Sequence, residues 1–262
     1  MIIDGRAIAA DIHQRIIEEI ASREQAPRLA IIACAPNFAT QRYLALKKEK
    51  ALALGISISI VELPAGVATE EVVRAVSKAV EQSEGVIVQL PLPKEIDSEA
   101  VVSAIPPSHD VDALNPATTE VLSPVVAACK EIIERYTFSV ENKRAVVVGQ
   151  GKLVGVPSAR WLKTEGAMVT VVQRETEDVI EIFKQAEVIV TGAGDPGFLK
   201  PEMVSEGVVV LDAGTSEEGG ELRGDADPAV ARKAALFTPV PGGIGPVTIA
   251  CLFQNLLALS SK

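Results

Sequence analysis

A tyrosine and a lysine lie four residues apart in the segment 39–55, ATQRYLALKKEKALALG. The segment has no proline and no interior glycine, and it is rich in Ala, Leu, Lys and Glu, so a helix that ends at Gly55 is expected. The spacing puts the phenol of Tyr43 and the ammonium of Lys47 on the same face of that helix. A lysine shielded from water can polarise a carbonyl group or transfer a proton. The alternative is a solvated helix face, which the pattern alone favours.

A glycine-rich turn in the second half indicates a phosphate-binding site. The sequence from Gly149 to Gly155, GQGKLVG, follows a predicted strand and precedes a predicted helix. Glycines let the backbone approach a pyrophosphate, and the free N–H groups of a helix N-terminus attract its charge. The spacing is GxGxxxG rather than GxGxxG, so a tight strand-to-helix turn without a ligand remains the alternative.

The residues after the next strand bear on the identity of the dinucleotide. In doubly wound folds a carboxylate at this point favours NAD, whereas an arginine favours the 2′-phosphate of NADP. Strand 168–172 is followed by Arg174 and Glu175, so Arg174 favours NADP while Glu175 keeps NAD possible. A second glycine loop follows a later strand, and Gly192 and Gly194 in it are predicted cofactor contacts.

The elements that must position these residues alternate between helices and strands, which is the pattern of a parallel α/β sheet. In the first half the predicted elements are helix 8–21, strand 28–34, helix 39–55, strand 56–63, helix 69–82 and strand 85–93. The stretch 97–124 is interrupted by prolines and serines, and we expect it to contain the end of the first domain and the start of a connection.

The second half is expected to form a doubly wound, Rossmann-like parallel sheet led by the glycine turn. The predicted elements are helix 126–136, strand 145–148, a helix from Val154, strand 168–172, helix 177–185, and strands 187–191, 208–213 and 236–237. The segment Pro241–Thr248 is predicted to be a rigid loop, and 247–259 an apolar C-terminal helix.

Composition limits the classes of protein that fit. The chain has 262 residues, 48% of them apolar and only 3% aromatic, which suits aliphatic strands buried under helices. A net charge of −10 argues against nucleic acid as a partner. Three scattered cysteines suggest neither disulfides nor a metal site, so a cytoplasmic location is expected. No apolar run reaches the length of a membrane span.

Five segments together resemble the bifunctional methylenetetrahydrofolate dehydrogenase/cyclohydrolase family. They are IIDGRAIA from Ile2, the Tyr43-x3-Lys47 helix, VQLPLP at 88–93, DVDA at 110–113 and PGGIGPVT at 241–248. Their order and spacing hold from residue 2 to residue 256. The resemblance implies a folate-binding α/β domain of residues 1–122 with 247–262, a Rossmann-like domain of residues 123–246, and a cleft between them. It also implies a homodimer.

The implied activity is oxidation of 5,10-methylenetetrahydrofolate to the methenyl form with NADP or NAD, followed by hydrolysis to 10-formyltetrahydrofolate. Lys47 matches the catalytic lysine, and Tyr43 matches the tyrosine that stacks with or orients the folate. Gln89 matches the glutamine that tunes the lysine, and Asp112 the carboxylate that anchors the pterin. Further substrate contacts are expected at Leu90, Pro91, Gly243 and Pro246. The predicted cofactor contacts are Gly149, Gln150, Gly151, Val154, Gly155, Arg174, Gly192, Gly194 and Thr248. No metal is required.

Three departures from the family pattern stand out. The glycine turn has Gly149-Gln150-Gly151 where the family usually has GRS, whose arginine and serine serve the cofactor phosphate. Either Arg174 replaces that arginine, or the preference has switched to NAD. The segment 124–129, PVVAAC, replaces the family's PCTPxG. Ala113 stands where a glycine usually closes DVDG, so a different loop shape is expected there.

Two other functions compete with the bifunctional enzyme. One is a dehydrogenase that has lost the cyclohydrolase step, and the other is a non-catalytic folate- or nucleotide-binding protein. Lys47, Gln89 and Asp112 argue against the first, and the Tyr43-x3-Lys47 helix argues against the second because a pure binder has no need of it.

Overall fold

The computed structural model describes residues 1–218 and 220–261 and divides the chain into two compact units. The lysine unit comprises Asp11–Pro124 and Ile249–Lys262. The glycine-turn unit comprises Met1–Ala10 and Val125–Thr248. The sequence-based division places residues 1–10 in the folate domain, whereas in the structure these residues belong to the glycine-turn unit.

The lysine unit is built on a parallel three-stranded sheet in the order β2-β1-β3. Its strands are β1 (Arg28–Cys34), β2 (Ser57–Leu63) and β3 (Gly85–Val88). Helices α2 (Phe38–Ala53), α3 (Thr69–Gln82) and α4 (Ser98–Ser103) lie in this unit. The unit also contains residues 11–21 of α1 (Gly5–Ala21) and residues 249–259 of α8 (Ile244–Leu259), and the first residues of both helices belong to the glycine-turn unit. The buried aliphatic side chains of β1 and β3 make the centre of this sheet apolar on both faces.

Helix α2 has a defined start and stop, which fixes the direction of its side chains. The Asn37 side chain accepts a hydrogen bond from Thr40 N at 2.9 Å, which caps the first turn. At the other end Gly55 has φ +78°, and the amides of Gly55 and Ile56 donate to Leu52 O and Ala51 O. This is a Schellman motif, so the predicted stop at Gly55 is confirmed.

The glycine-turn unit contains a parallel five-stranded sheet in the order β10-β7-β6-β4-β5. Its strands are β4 (Arg144–Val148), β5 (Met168–Val172), β6 (Val188–Thr191), β7 (Val209–Asp212) and β10 (Leu236–Phe237). Helices α5 (Pro124–Arg135), α6 (Gly155–Thr164) and α7 (Val179–Gln185) accompany the sheet, and β8 (Ser216–Glu218) and β9 (Glu221–Arg223) form an antiparallel pair. The parallel order confirms the predicted α/β class.

The sequence-based assignment of elements missed one helix and was wrong in part for one loop. Helix α4 lies in the stretch 97–124, for which no helix was predicted, and the Asp97 carboxylate caps it by accepting from Glu99 N and Ala100 N. The predicted loop Pro241–Thr248 is helical from Ile244. Pro246 is compatible with a helix there, because first-turn N–H groups have no partner within the helix.

None of the helices in the described residues is both long and apolar enough to cross a membrane. The apolar helix α8 places Phe253, Leu256 and Leu257 in the core of the protein.

Candidate active site

Lys47 is almost completely buried, with 3% of its surface exposed. Its Nζ lies 5.0 Å from the centroid of the Tyr43 ring, one helical turn earlier on α2. The Tyr43 side chain keeps 39% of its surface exposed, so part of its ring is open to solvent or a ligand. The solvated-face interpretation of this helix is therefore wrong for Lys47.

Gln89, directly after β3, holds the lysine through its amide oxygen. Lys47 Nζ donates to Gln89 Oε1 at 3.1 Å. The other end of the amide is also engaged, since Gln89 Nε2 donates to Leu90 O at 2.9 Å. The backbone N–H of Gln89 donates to Ile32 O at 2.8 Å, which ties the residue to β1. These contacts fix which amide atom faces the lysine.

Burial, and to a smaller extent the charges of neighbouring groups, shift the pKa values of Lys47, Asp112 and Tyr43. Burial lowers the pKa of Lys47, and the negative charge of Asp112 offsets part of that effect. Burial raises the pKa of Asp112, and the positive charge of Lys47 offsets part of that. Partial burial, with Asp112 as the second cause, raises the pKa of Tyr43 to about 12. The amine is therefore more easily deprotonated than a surface lysine, while the phenol stays protonated at neutral pH.

The loop that carries Asp112 is held by a second carboxylate, that of Asp110. Asp110 is fully buried and pairs with Val86 as a parallel bridge to β3. Its Oδ2 accepts from Asn115 N and from Thr118 Oγ1, both at 2.7 Å. Sequence reasoning identifies only the second acid of DVDA, although the first acid shapes the loop.

Ala113 adopts φ +50°, in the left-handed region that favours glycine. A glycine would adopt this conformation without strain, whereas the alanine of this chain does not, and a loop shape that differs from the family's stays a prediction. Replacing Ala113 by Gly should raise the free energy of unfolding by roughly 0.5–1 kcal/mol, because the left-handed strain is relieved. Urea denaturation would measure this. Ala117→Gly, in the same loop but without a positive φ, should instead destabilise, and equal effects of both changes would contradict the strain argument.

In the glycine-turn unit, the turn between β4 and α6 is shaped by its glycines. Gly149 has φ +92°. A Cβ on Gly155 would lie 2.1 Å from Gly149 O, so only glycine permits this approach of the helix to the strand end. Gly151 is exposed, and a Cβ added there would meet no atom within 4 Å, so its backbone is open to a ligand. These features fit a dinucleotide pyrophosphate.

The loop after β6 is held from below by two buried carboxylates that sequence reasoning missed. Asp225 accepts from Ala193 N at 2.7 Å and from Asp195 N at 2.9 Å. Asp212, at the end of β7, accepts from Thr191 Oγ1 at 2.8 Å and from Ala226 N at 2.9 Å. Neither acid stands out in the sequence, because Glu217, Glu218, Glu221 and Asp227 lie in the same stretch of the chain.

Burial raises the pKa of Asp212 from 3.8 to about 6, although donated hydrogen bonds counteract it. The pKa of Asp212 is higher in the folded than in the unfolded state, so the folded protein binds this proton at a higher pH. As the pH falls from 7 to 5, protonation of Asp212 therefore raises the free energy of unfolding. Between pH 7 and pH 5 the free energy of unfolding of the wild type should rise by about 1 kcal/mol more than that of Asp212→Asn, as measured by urea denaturation at both pH values. The carboxyl ¹³C shift of Asp212 should titrate near pH 6, and a midpoint near 4 would contradict the assignment.

The other predicted site residues fall into both units. Leu90 is half-buried and Pro91 exposed, and both follow Gln89 in the lysine unit. Gln150 and Arg174 are exposed in the glycine-turn unit, Arg174 just after β5. Gly243, Pro246 and Thr248 also belong to the glycine-turn unit. The segment 124–129, whose sequence differs from the family pattern, forms the start of α5, and its residues Val126, Ala128 and Cys129 are buried.

Metal binding finds no support in the side chains of residues 1–218 and 220–261. No group of three or more His, Cys, Asp or Glu side chains there is arranged to hold a metal ion.

Comparison with known proteins covers nearly the whole chain. The family model for the tetrahydrofolate dehydrogenase/cyclohydrolase catalytic domain matches residues 3–112, and the model for the NAD(P)-binding domain of the same family matches residues 123–262. The bifunctional protein FolD of Methanoculleus marisnigri is 38% identical over 97% of this chain and 94% of its own.

Two solved structures are similar to this chain over its whole length. The bifunctional enzyme FolD of Campylobacter jejuni is 30% identical with a TM-score of 0.95, covering 100% of this chain and 99% of that one. The Trypanosoma brucei enzyme, solved with NADP and an inhibitor, is 34% identical with a TM-score of 0.93, covering 100% and 97%. The chain that carries the buried Lys47 and the Gly149–Gly155 turn is therefore a member of the tetrahydrofolate dehydrogenase/cyclohydrolase family.

Proposed function

We propose that this protein oxidises 5,10-methylenetetrahydrofolate to 5,10-methenyltetrahydrofolate with NAD(P) and hydrolyses the product to 10-formyltetrahydrofolate. The observation that carries the proposal is the buried Lys47, whose Nζ is bonded to Gln89 Oε1 at 3.1 Å and feels the charge of Asp112. A lysine that is shielded from water and held in one orientation is suited to proton transfer. Such a lysine has no evident structural role.

Asp112 is the proposed anchor for the pterin ring. An ionised carboxylate can accept two hydrogen bonds from the amino and ring N–H groups of a pterin, which fixes the plane of the ring. The half-open Tyr43 ring would contact a flat face of the substrate, and Leu90 and Pro91 are proposed to line the same site. Gly243 and Pro246 remain predicted substrate contacts on the resemblance alone.

Lys47 is the proposed proton-transfer group. Because burial lowers its pKa, a larger share of Lys47 is neutral than for a surface lysine at the same pH. The neutral amine can accept a proton from the water that attacks the methenyl carbon. The ammonium that forms would be stabilised by Gln89 Oε1 and by the charge of Asp112. While it is neutral, the same amine does not oppose the positive charge that develops on the folate during oxidation.

The dinucleotide is proposed to bind at the turn from Gly149 to Gly155. When bound, NAD(P) supplies the two-electron acceptor for oxidation of the methylene carbon. Gly149, Gln150, Gly151, Val154 and Gly155 would hold the pyrophosphate at the N-terminus of α6. Gly192, Gly194 and Thr248 are further proposed contacts.

We propose NADP as the preferred cofactor, with the exposed guanidinium of Arg174 as a contact for the 2′-phosphate. Replacing Arg174 by Ala should raise KM for NADP about 10-fold, the effect of losing one charge-assisted hydrogen bond, and leave KM for NAD unchanged. Arg160→Ala, an exposed arginine on α6, is the control. An unchanged preference for NADP in Arg174→Ala would remove Arg174 from the pocket, and higher kcat/KM with NAD in the wild type would reverse the proposal.

A spectrophotometric assay tests the two activities together. Methylenetetrahydrofolate is supplied with NADP or NAD, and formation and decay of the methenyl compound are followed. Reduced cofactor with transient methenyl compound is expected. Methenyl compound that decays no faster than without enzyme would leave only a dehydrogenase, and folate binding without turnover would favour a binding protein.

The homodimer and the cytoplasmic location are proposals that depend on the sequence and the resemblance. Analytical ultracentrifugation at micromolar concentration should give a mass twice the 27.6 kDa of the chain. A monomer at that concentration would contradict the dimer.

A further inference from the structure

The loop after β6 turns three consecutive N–H groups inward onto one carboxylate. Asp225 Oδ2 accepts from Ala193 N at 2.7 Å and from Gly194 N at 3.4 Å, and Oδ1 accepts from Asp195 N at 2.9 Å. The residues at 193–195 are exposed, whereas Asp225 has no exposed surface. Successive N–H groups of this kind form a cradle that binds anions, and here a side chain of the protein fills it.

Backbone packs tightly around this carboxylate, so it has little room to move. A Cβ on Gly214 would lie 2.2 Å from the carboxyl carbon of Asp225. A second buried carboxylate fixes the backbone of Asp225 itself, because Asp212 Oδ1 accepts from Asp225 N at 3.2 Å and from Gly214 N at 2.9 Å. Asp225 is therefore a fixed support for the 192–195 loop.

The 192–195 loop in turn lies against the glycine turn. A Cβ on Gly149 would be 3.1 Å from Gly192 O, and a Cβ on Gly192 would be 2.4 Å from Val154 Cγ1. The two segments therefore pack closely, with the Val154 side chain against Gly192. A displacement of the 192–195 loop must therefore disturb the turn from Gly149 to Gly155.

We propose that Asp225 is a positioning residue for the dinucleotide: it holds the 192–195 loop in the shape that supports the glycine turn. The inference rests on the proposed function in one respect, namely that NAD(P) binds at this turn. Because the N–H groups of the loop are already occupied by a carboxylate, the loop cannot offer them to a phosphate. The pyrophosphate is directed to the N-terminus of α6, and the loop is left to contact the sugar or the ring of the dinucleotide.

Replacement of Asp225 by Asn tests the proposal, since the amide keeps the size but places a donor against the N–H groups. The dissociation constant for NADP should rise on the order of 10–100-fold, as expected for disrupted charge-assisted hydrogen bonds. Binding is measured through the fluorescence of Trp161, the one tryptophan in the chain, which lies on α6. Asp227→Asn is the matched control, because that carboxylate caps Ala229 N and pairs with Lys200 without contacting the loop.

A second readout separates positioning from general loss of structure. Hydrolysis of methenyltetrahydrofolate needs no dinucleotide, so its kcat should stay within about twofold of wild type in Asp225→Asn, while KM for NADP rises more than kcat falls in the dehydrogenase assay. Unchanged NADP binding would overturn the proposal, and so would equal loss of both activities.

Measurements on the unaltered protein keep the test independent of whether the variant folds. In hydrogen exchange, the amides of Ala193 and Asp195 should be protected despite their exposed side chains, and rapid exchange would overturn the proposal. Wild-type protein that binds neither NADP nor NAD would instead refute the proposed function.

Discussion

Replacing Lys47 by Met should lower the rate of methenyltetrahydrofolate hydrolysis by about 10²–10⁴-fold, the range for loss of a general acid–base group. Methionine has nearly the same length and is apolar, so the buried position can accept it without a large change in volume. The change removes the donor to Gln89 Oε1 and the positive charge that faces Asp112. Stopped-flow absorbance of the methenyl compound measures the rate directly.

The control for this change is the next residue on the same helix. Lys48 is exposed, and Lys48→Met should leave hydrolysis within about twofold of wild type because an exposed surface charge contributes little. Folate binding by Lys47→Met, measured by equilibrium dialysis, should persist, since Asp112, the proposed anchor for the pterin ring, remains. If Lys47→Met retained wild-type hydrolysis, the proton-transfer role would have to be assigned elsewhere.

Replacing Gly5 by Ala should be the most damaging small substitution in the glycine-turn unit. A Cβ at Gly5 would lie 1.8 Å from Gly243 O and 2.7 Å from Gly242 O, both backbone atoms, and Gly5 N donates to Gly242 O at 2.9 Å. The main chain must move to make room, so we expect a loss of about 3 kcal/mol in the free energy of unfolding, at the upper end for overpacking. Urea denaturation at pH 7 would measure it.

Gly245→Ala is the matched control for Gly5→Ala. Gly245 lies in the first turn of α8, is exposed, and has no atom within 4 Å of the place that a Cβ would occupy. Alanine is a better helix former, so this variant should be unchanged or more stable by up to about 1 kcal/mol. Equal stability of the two variants would show that the close contact at Gly5 relaxes freely.

The contact between Gly5 and Gly243 also shows what a sequence pattern can and cannot predict. IIDGRAIA and PGGIGPVT are both informative for the family, but the pattern does not show that the two segments lie next to each other. In the structure Gly5 and Gly243 contact each other, and Asp4 caps α1 by accepting from Arg6 N and Ala7 N. Close backbone contacts between segments more than 200 residues apart leave no periodicity in the sequence, so only coordinates can reveal them.

Helices and strands could be predicted from the sequence where the spacing of apolar residues and the residues at the ends of the element indicated the same structure. Helix 69–82 and strands 28–34 and 168–172 have the predicted bounds. The short helix α4 was missed because prolines in the surrounding stretch obscured it, although Asp97 followed by Glu99 was a usable cap signal. The antiparallel pair β8 and β9 was missed because each strand has only three residues and Leu222 is their one apolar residue, so the sequence shows no apolar alternation.

The residues of the lysine cluster could be predicted from the sequence, but the burial and the pKa shifts of those residues could not. The resemblance named Tyr43, Lys47, Gln89 and Asp112, while the burial of Lys47 and the orientation of the Gln89 amide depend on tertiary packing. Asp110, Asp212 and Asp225 were not predicted as supports because most of their partners are backbone N–H groups, which no residue type in the sequence marks.

The C-terminal helix has a consequence for how the chain folds during synthesis. Asn255 Nδ2 donates to Val111 O at 2.9 Å and to Leu122 O at 2.8 Å, and Arg23 donates to Leu257 O at 2.9 Å. The lysine unit therefore lacks part of its core and these bonds until residues 249–259 of α8 have left the ribosome. Residues 125–248 are synthesised before this part of α8, so most of the glycine-turn unit should be able to fold first, whereas the lysine unit should complete its packing only after α8 has been made.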